Sequence, residues 1–378
     1  MNNLLQLHLR SLLIMKKLDW FILKKFLSTF FFGILLFTVI AIVIDLSEKT
    51  DNFVRSQLGF FNIVRLYYYG FIPYIIALLF PLFVFISVIF FTSKMAGNTE
   101  IIPILASGIS YNRWLRPYYV GGTFLAIILW LSNLYVIPKA NQIRSSFEAR
   151  YVDKDNSYEQ LTANTNTSIY FKIDSFTYAG ILGYDTLFKR GGPFFMNRIE
   201  NNKVILNTRA ESISWDTISK KWVLQNVFKR RVLPINETVT SIDKEVVDFN
   251  FKPLDLSRDK FTKDKLTSAQ LERFIKLEES RGSEGINDLK VELYRRDATP
   301  VTVFLLTLIG AIVAGRKVRG GSGAHLALGF ITAAAFIITD RFSTIFSTKG
   351  NLPPLIAAWI PNAIFVLVAL RLYYKAPK

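Results

Sequence analysis

The 378-residue chain has no cysteine and only two histidines. Without thiols there is no disulfide framework, no thiolate metal site and no cysteine nucleophile, and composition carries no sign of the redox compartment. His8 and His325 stand far apart and neither lies in an HExxH pattern, which argues against a zinc hydrolase. Acidic residues are scarce, 29 against 46 lysines and arginines. Between Asp51 and Glu148 there is a single carboxylate side chain, Glu100. The apolar runs are almost free of carboxylates, whereas a proton-coupled pump needs ionisable groups at membrane depth. A nucleotide site is missing too. GRKVRGGS, Gly315 to Ser322, has the glycine spacing of a phosphate-binding loop but sets Gly321 where the lysine must stand, and no strand precedes it.

What the chain has in excess is apolar surface. It is 51% hydrophobic with 33 phenylalanines, and several windows of about 20 residues carry no charge, the length that crosses a bilayer's hydrocarbon. The pattern predicts six spans near residues 26–44, 71–92, 118–137, 299–315, 324–341 and 353–372. The first run is longer than a signal peptide's core and has no small-residue cleavage site after it, so it is expected to remain as a helix. Residues 1–14 have two readings, translated sequence or an artefact of start-codon choice, since MKKLDWFILKKFL from Met15 is itself a normal basic lead-in.

Lysine and arginine in the short connections set the orientation. Arg10, Lys16, Lys17, Lys24 and Lys25 precede the first span; Lys94, Arg113 and Arg116 lie between the second and third; Arg316, Lys317 and Arg319 lie between the fourth and fifth; Arg371, Lys375 and Lys378 follow the sixth. All four groups fall on one side, expected to be the cytoplasm, with both termini inside. The formal charge of +17 is therefore a topology signal, and no nucleic-acid partner is expected.

Residues 138–298 differ in character. IYFKID (169–174) alternates apolar and polar, KVILNTRAESISW (203–215) is β-prone, and SISW with KWVLQNV across DTISKK predicts a hairpin that brings Trp215 and Trp222 near its turn. TSAQLERFIKLEESRG then carries Leu271, Phe274 and Ile275 at helical spacing, a Thr267–Gln270 capping box and Gly282 as a stop. The expected divisions are 1–137, with three spans and a loop at 93–116; a β domain at 138–266; a helical re-entry at 267–298; and three spans in 299–378. Asp340 beside Arg341, near the outer end of the fifth span, has two readings: a structural pair, or a gating or headgroup contact.

MKKLDWFILKKFLSTFFFGILLF, TEIIPILASGIS, AESISWDTISKKWVL, the helix ending VELYRRDATP, and NLPPLIAAWIPNAIF together resemble the LptF/LptG permease family over essentially the whole chain. The compact length and the closing GNLPPLIAAWIPN resemble LptG more than LptF. The resemblance implies an α-helical polytopic inner-membrane protein with six transmembrane helices and an inserted periplasmic β domain, jellyroll-like. It implies a permease subunit of an ABC transporter that extracts lipopolysaccharide from the outer leaflet. The implied partners are an LptB-like ATPase dimer, a second LptF- or LptG-like permease, and an LptC-like protein with the periplasmic bridge. ATP and magnesium belong to the ATPase, so this chain is expected to be no enzyme and to hold no cofactor or metal.

On that resemblance the loop at 93–116 docks the ATPase. Thr99 is expected to cap a short helix that Gly108 ends, with Ile101, Ile102, Ile104 and Leu105 as its apolar surface, and Glu100 in the first turn facing an arginine of the ATPase. Lipid headgroup contacts are expected from basic residues on the outer side: Lys49, Arg55, Lys139, Arg144, Arg150, Arg295 and Arg296, with Arg144 nearest a family position for lipid contact. Phe30, Phe37, Phe330 and Phe336 are candidates to line an acyl-chain cavity. Two other classes are set against this reading. A mechanotransmission protein of ABC type has fewer spans and a larger outer domain, and a polytopic lipid-modifying enzyme wants a clustered polar constellation at a membrane face.

Overall fold

The computed structural model describes residues 15–152, 169–185, 188–233, 236–249, 251–253, 262–281, 285–315 and 321–376. The expectations on residues 1–14, Gly282, Arg316, Lys317, Arg319 and Lys378 lie outside them. Apart from the single turn Thr262–Lys265, the helices are α1 (Lys17–Arg55), α2 (Phe60–Gly97), α3 (Ile101–Ala106), α4 (Tyr111–Val152), α5 (Ser268–Arg281), α6 (Ile286–Ala314), α7 (Gly321–Thr348) and α8 (Pro354–Tyr374). Six of them, all but α3 and α5, are long and apolar enough to cross a membrane. They cover the six expected spans to within one residue and mostly outrun them. The 39 residues of α1 extend about 58 Å at 1.5 Å per residue, whereas hydropathy marks only the roughly 30 Å matched to hydrocarbon. A helix satisfies its own backbone, so it continues into its charged ends.

The chain divides into two compact units, Met1–Arg144 with Asn287–Lys378, and Ser145–Ile286. The β unit thus starts seven residues beyond the expected boundary of 138, because α4 runs through it unbroken. It also takes in α5, whose buried Leu271 and Ile275 belong to a helix packed on strand β1. Residues 287–298 go with the membrane unit as the first turns of α6.

In the membrane unit, α1 buries Ile22, Phe26, Phe30 and Ile34, one residue per turn. Phe26 lies 6.1 Å from the Tyr118 ring on α4 and Phe30 5.0 Å from Phe80 on α2. Gly121 is required at the first contact, since a Cβ there would come within 2.7 Å of Phe26. Pro300 sits inside α6 and has no N–H for the Arg296 carbonyl four residues back. Asn133 Nδ2 on α4 donates to that oxygen at 3.1 Å, so the proline's missing bond is replaced by a bond between helices. Asn362 Nδ2 on α8 donates to the Ala298 carbonyl at 2.9 Å, and Thr302 Oγ1 donates to Asn362 Oδ1 at 2.8 Å.

The β unit holds one antiparallel sheet of eight described strands: β1 (Ile169–Asp174), β2 (Thr177–Ile181), β3 (Tyr184–Asp185), β4 (Arg190–Gly191), β5 (Phe194–Glu200), β6 (Lys203–Asp216), β7 (Lys221–Val232) and β8 (Glu237–Val247). The sheet runs β1-β2-β5-β6-β7-β8, and the β3-β4 hairpin joins the far end of β6. The expected hairpin is β6-β7, with Trp215 opposite Trp222 and their rings 5.1 Å apart. In its turn the Ser219 hydroxyl and the Ile218 N–H hold the Asp216 carboxyl below its usual range. Alternation does not run the length of this hairpin. Ala210 and Ile213 both face the core, as do Leu224 and Val227, so the period of two breaks in both strands beside Asn226, whose φ is 50°. The apolar pattern alone shows no such break, because the left-handed residue is an asparagine without a glycine signal.

Candidate functional site

The connection between α2 and α4 begins where α2 ends at Gly97 and Thr99 turns left-handed, φ 59°. This conformation corrects the expected cap. Thr99 Oγ1 bonds back to the Asn98 carbonyl at 2.6 Å, Glu100 takes the N-cap position, and no side chain caps α3. Glu100 is exposed, and its Oε1 accepts one bond, from Asn98 Nδ2 at 2.9 Å. Gly108 follows the helix with φ 84°.

The expected apolar docking face is turned the other way. Ile101 is 3% exposed and packs with half-buried Ile104 and Leu105 into the chain's own core, because spacings of three and four residues share a helix face. Ile102, 54% exposed, is the isoleucine presented outward, beside exposed Pro103 and Ala106.

Three helix ends hold this loop. Arg113 Nη2 lies 3.2 Å from Asp19 Oδ2 at the start of α1, and Asp19 also accepts the Lys16 N–H at 2.9 Å. A hollow of about 330 Å³ lies between Lys16–Ile22 and Ser107–Trp114. Trp114 packs on Gly315 past the end of α6, where a Cβ would come within 2.7 Å of the indole. The Tyr111 ring lies 6.1 Å from Tyr373 on α8. Asp19 went unnoticed in the sequence, where its only signal is a place three residues after Lys16, and its main partner is 94 residues away.

The basic residues separate by burial. Lys49 Nζ contacts Asp45 Oδ1 at 2.9 Å and the Tyr67 hydroxyl, which itself donates to Asp45 at 2.8 Å. Arg144 is 8% exposed with its guanidinium 3.9 Å from the centre of the Tyr74 ring, a buried cation–π contact. Arg295 Nη2 meets Asp340 Oδ2 at 2.9 Å and Thr344 Oγ1 at 2.6 Å, and buried Arg296 lies 3.7 Å from Glu292. Arg55, Lys139 and Arg150 are exposed. A ring of exposed headgroup cations is therefore not what the fold makes of these residues, since Lys49, Arg144 and Arg295 join one helix to another and Arg296 is buried beside Glu292.

Residues 20–375 match the family model of the lipopolysaccharide export system permease LptF/LptG. The chain belongs to the LptF/LptG family. No curated protein matches it. As a family member it is a transporter permease component of lipopolysaccharide export, not itself an enzyme.

Within this LptF/LptG chain two sequence expectations need correction. Asp340 does not pair with Arg341: neighbours on a helix point about 100° apart, so Asp340 reaches Arg295 on α6 while Arg341 is exposed. Phe30 is sealed inside the α1–α2 contact and Phe336 packs on Phe365 at 5.1 Å, which leaves Phe37 and Phe330 as the exposed pair of the four. Double-mutant cycles on thermal unfolding distinguish the two pairings of Asp340. Asp340→Ala with Arg295→Ala should show a coupling of about 1 kcal/mol, modest because exposed pairs are screened and both side chains are about a quarter exposed. Asp340→Ala with Arg341→Ala should be additive.

Proposed function

We propose that this chain is the transmembrane permease subunit of an ABC transporter that lifts lipopolysaccharide from the outer leaflet of the inner membrane and passes it to a periplasmic bridge. Supporting this is one arrangement: exposed Glu100 and Ile102 on a loop tied to the ends of α1, α6 and α8. A separate ATPase dimer, loaded with ATP and magnesium, grips that loop, and its closure is passed directly to three helices. A second permease subunit completes the lipid path, and an LptC-like protein receives the lipid from the β unit, which is jellyroll-like and periplasmic. Both termini are cytoplasmic, as the basic connections indicate. The compact length and the closing GNLPPLIAAWIPN favour the LptG role. Phe37 and Phe330, exposed on α1 and α7, are the acyl-chain contacts in this reading. Headgroup attraction falls to exposed Arg55, Lys139 and Arg150, while Lys49, Arg144, Arg295 and Arg296 shape the site from within.

Reconstitution with the ATPase and the second permease in proteoliposomes tests this reading: ATP should drive release of lipopolysaccharide to a periplasmic acceptor, and ATP hydrolysis without release would refute it. Orientation is tested separately. The native chain has no cysteine, so background labelling is zero. Ile218→Cys, at a site 92% exposed, should react with an impermeant maleimide in intact spheroplasts, and Ser107→Cys only after permeabilisation. The reverse pattern would overturn the orientation and the docking role together.

A further inference from the structure

The β unit carries a second candidate site on the sheet face opposite its core. Cross-strand register sets Tyr170, Gly180, Phe195, Arg209 and Phe228 in one row across β1, β2, β5, β6 and β7. Their neighbours in the strands, Phe171, Ala179, Phe194, Ala210 and Val227, form the core on the other side. A groove of about 720 Å³ opens on the outer face, within the size range of small-ligand sites.

Its lining is specific in kind. Phe195 lies over Gly180, so close that a Cβ there would be 2.5 Å from the ring, and the Tyr170 ring is 6.0 Å away. The glycine thus lets an aromatic ring lie down on the sheet as a platform. The backbone of Phe228 is two strands away from that of Phe195, about 9.5 Å at the usual strand spacing, so the two rings can meet different sugars of one short oligosaccharide. Exposed Arg209 stands between the two rings and makes no ion pair among the described residues. Beside them Asn207 Nδ2 donates to Asn197, and Asn226 Nδ2 to Glu211. Asn226 is the residue held at φ 50° in mid-strand, a costly conformation of the kind found where a site demands it.

We infer that this face binds the anionic oligosaccharide portion of lipopolysaccharide, an inference that rests on the transport reading for the identity of the cargo. Aromatic faces take the C–H face of a pyranose; the amides and Glu211 take hydroxyls; Arg209 takes phosphate or carboxylate. An acyl chain fits poorly, because it would strip water from Asn197, Asn207, Arg209 and Glu211 without replacing their hydrogen bonds. A protein strand would add at β1, β3 or β8, the edges among the described strands, and leave this face open.

The test uses the full-length chain in lipid nanodiscs and three probes: the lipid-free phosphorylated oligosaccharide released from lipopolysaccharide by mild acid, the same oligosaccharide after dephosphorylation, and myristate. Both saccharides should bind saturably, with magnetisation transferred from protein to ring C–H protons. Phe228→Ala should weaken both by about tenfold. Arg209→Gln should weaken the phosphorylated form by about fivefold or more, and the dephosphorylated form less. Both side chains are exposed, and an unchanged near-ultraviolet tryptophan signal checks the fold. Absence of saturable binding, equal binding by all three proteins, or displacement by myristate would each overturn the inference. ATP-driven lipid release by the reconstituted complex reports on the transport reading alone. Release without saccharide binding removes only this inference, and saccharide binding without release removes only the transport reading.

Discussion

Glu100→Lys should abolish co-purification of the ATPase and stop lipid export while leaving the chain inserted and folded. The carboxylate stands exposed at the N-cap of α3, where it accepts a hydrogen bond from the Asn98 amide, so its removal alters little inside the protein; surface changes of this kind stay within about 0.5 kcal/mol. At a docked interface the balance is different. Removing one partner of a desolvated charge pair costs about 2 kcal/mol or more, roughly a 30-fold loss of association, and placing two cations together costs more still. Glu100→Ala should therefore weaken the complex and Glu100→Lys should eliminate it. Ile101→Ala gives the contrast: it acts on the internal core, so it should lower thermal stability before it touches association. Complexes of equal affinity from all these variants would end the docking role of Glu100.

Trp222→Ala is expected to have the largest effect on folding. The side chain is fully buried among Tyr184, Trp215 and Phe251, and its Nε1 donates to the Phe251 carbonyl at 2.8 Å. Truncation leaves a cavity and an orphaned carbonyl, about 3–5 kcal/mol, which is a large part of the 5–15 kcal/mol that holds a typical domain together. Limited proteolysis should cut within residues 145–286 many times faster than in the native chain, while the six helices remain in the membrane, since that region is a separate compact unit. Trp215→Ala should cost less, because Trp215 is only half-buried. Equal sensitivity of the two variants would mean that the paired rings, and not the buried indole, hold the unit together.

Much of the architecture follows from local pattern. Twenty uncharged residues in a row leave a chain few places other than a bilayer, so six spans can be read directly from hydropathy. The strand Ile169–Asp174, the β6-β7 hairpin and the reciprocal Thr267–Gln270 bonds are equally legible, since period, turn and cap each involve residues close in sequence. What the sequence by itself did not determine is which way a side chain faces once helices pack. Ile101, Ile104 and Leu105 read as a docking surface until the core claims them. The same holds for charge. Asp340 stands next to Arg341 in the chain but pairs with Arg295 45 residues away, and Asp19 finds Arg113 across 94. Arg144 and Lys49 carry the right charge for a phosphate, yet Tyr74 covers one and Asp45 with Tyr67 holds the other. A charge in a low-dielectric environment goes to the nearest partner that packing provides, and nearness in space is a property of the fold that a one-dimensional pattern does not contain.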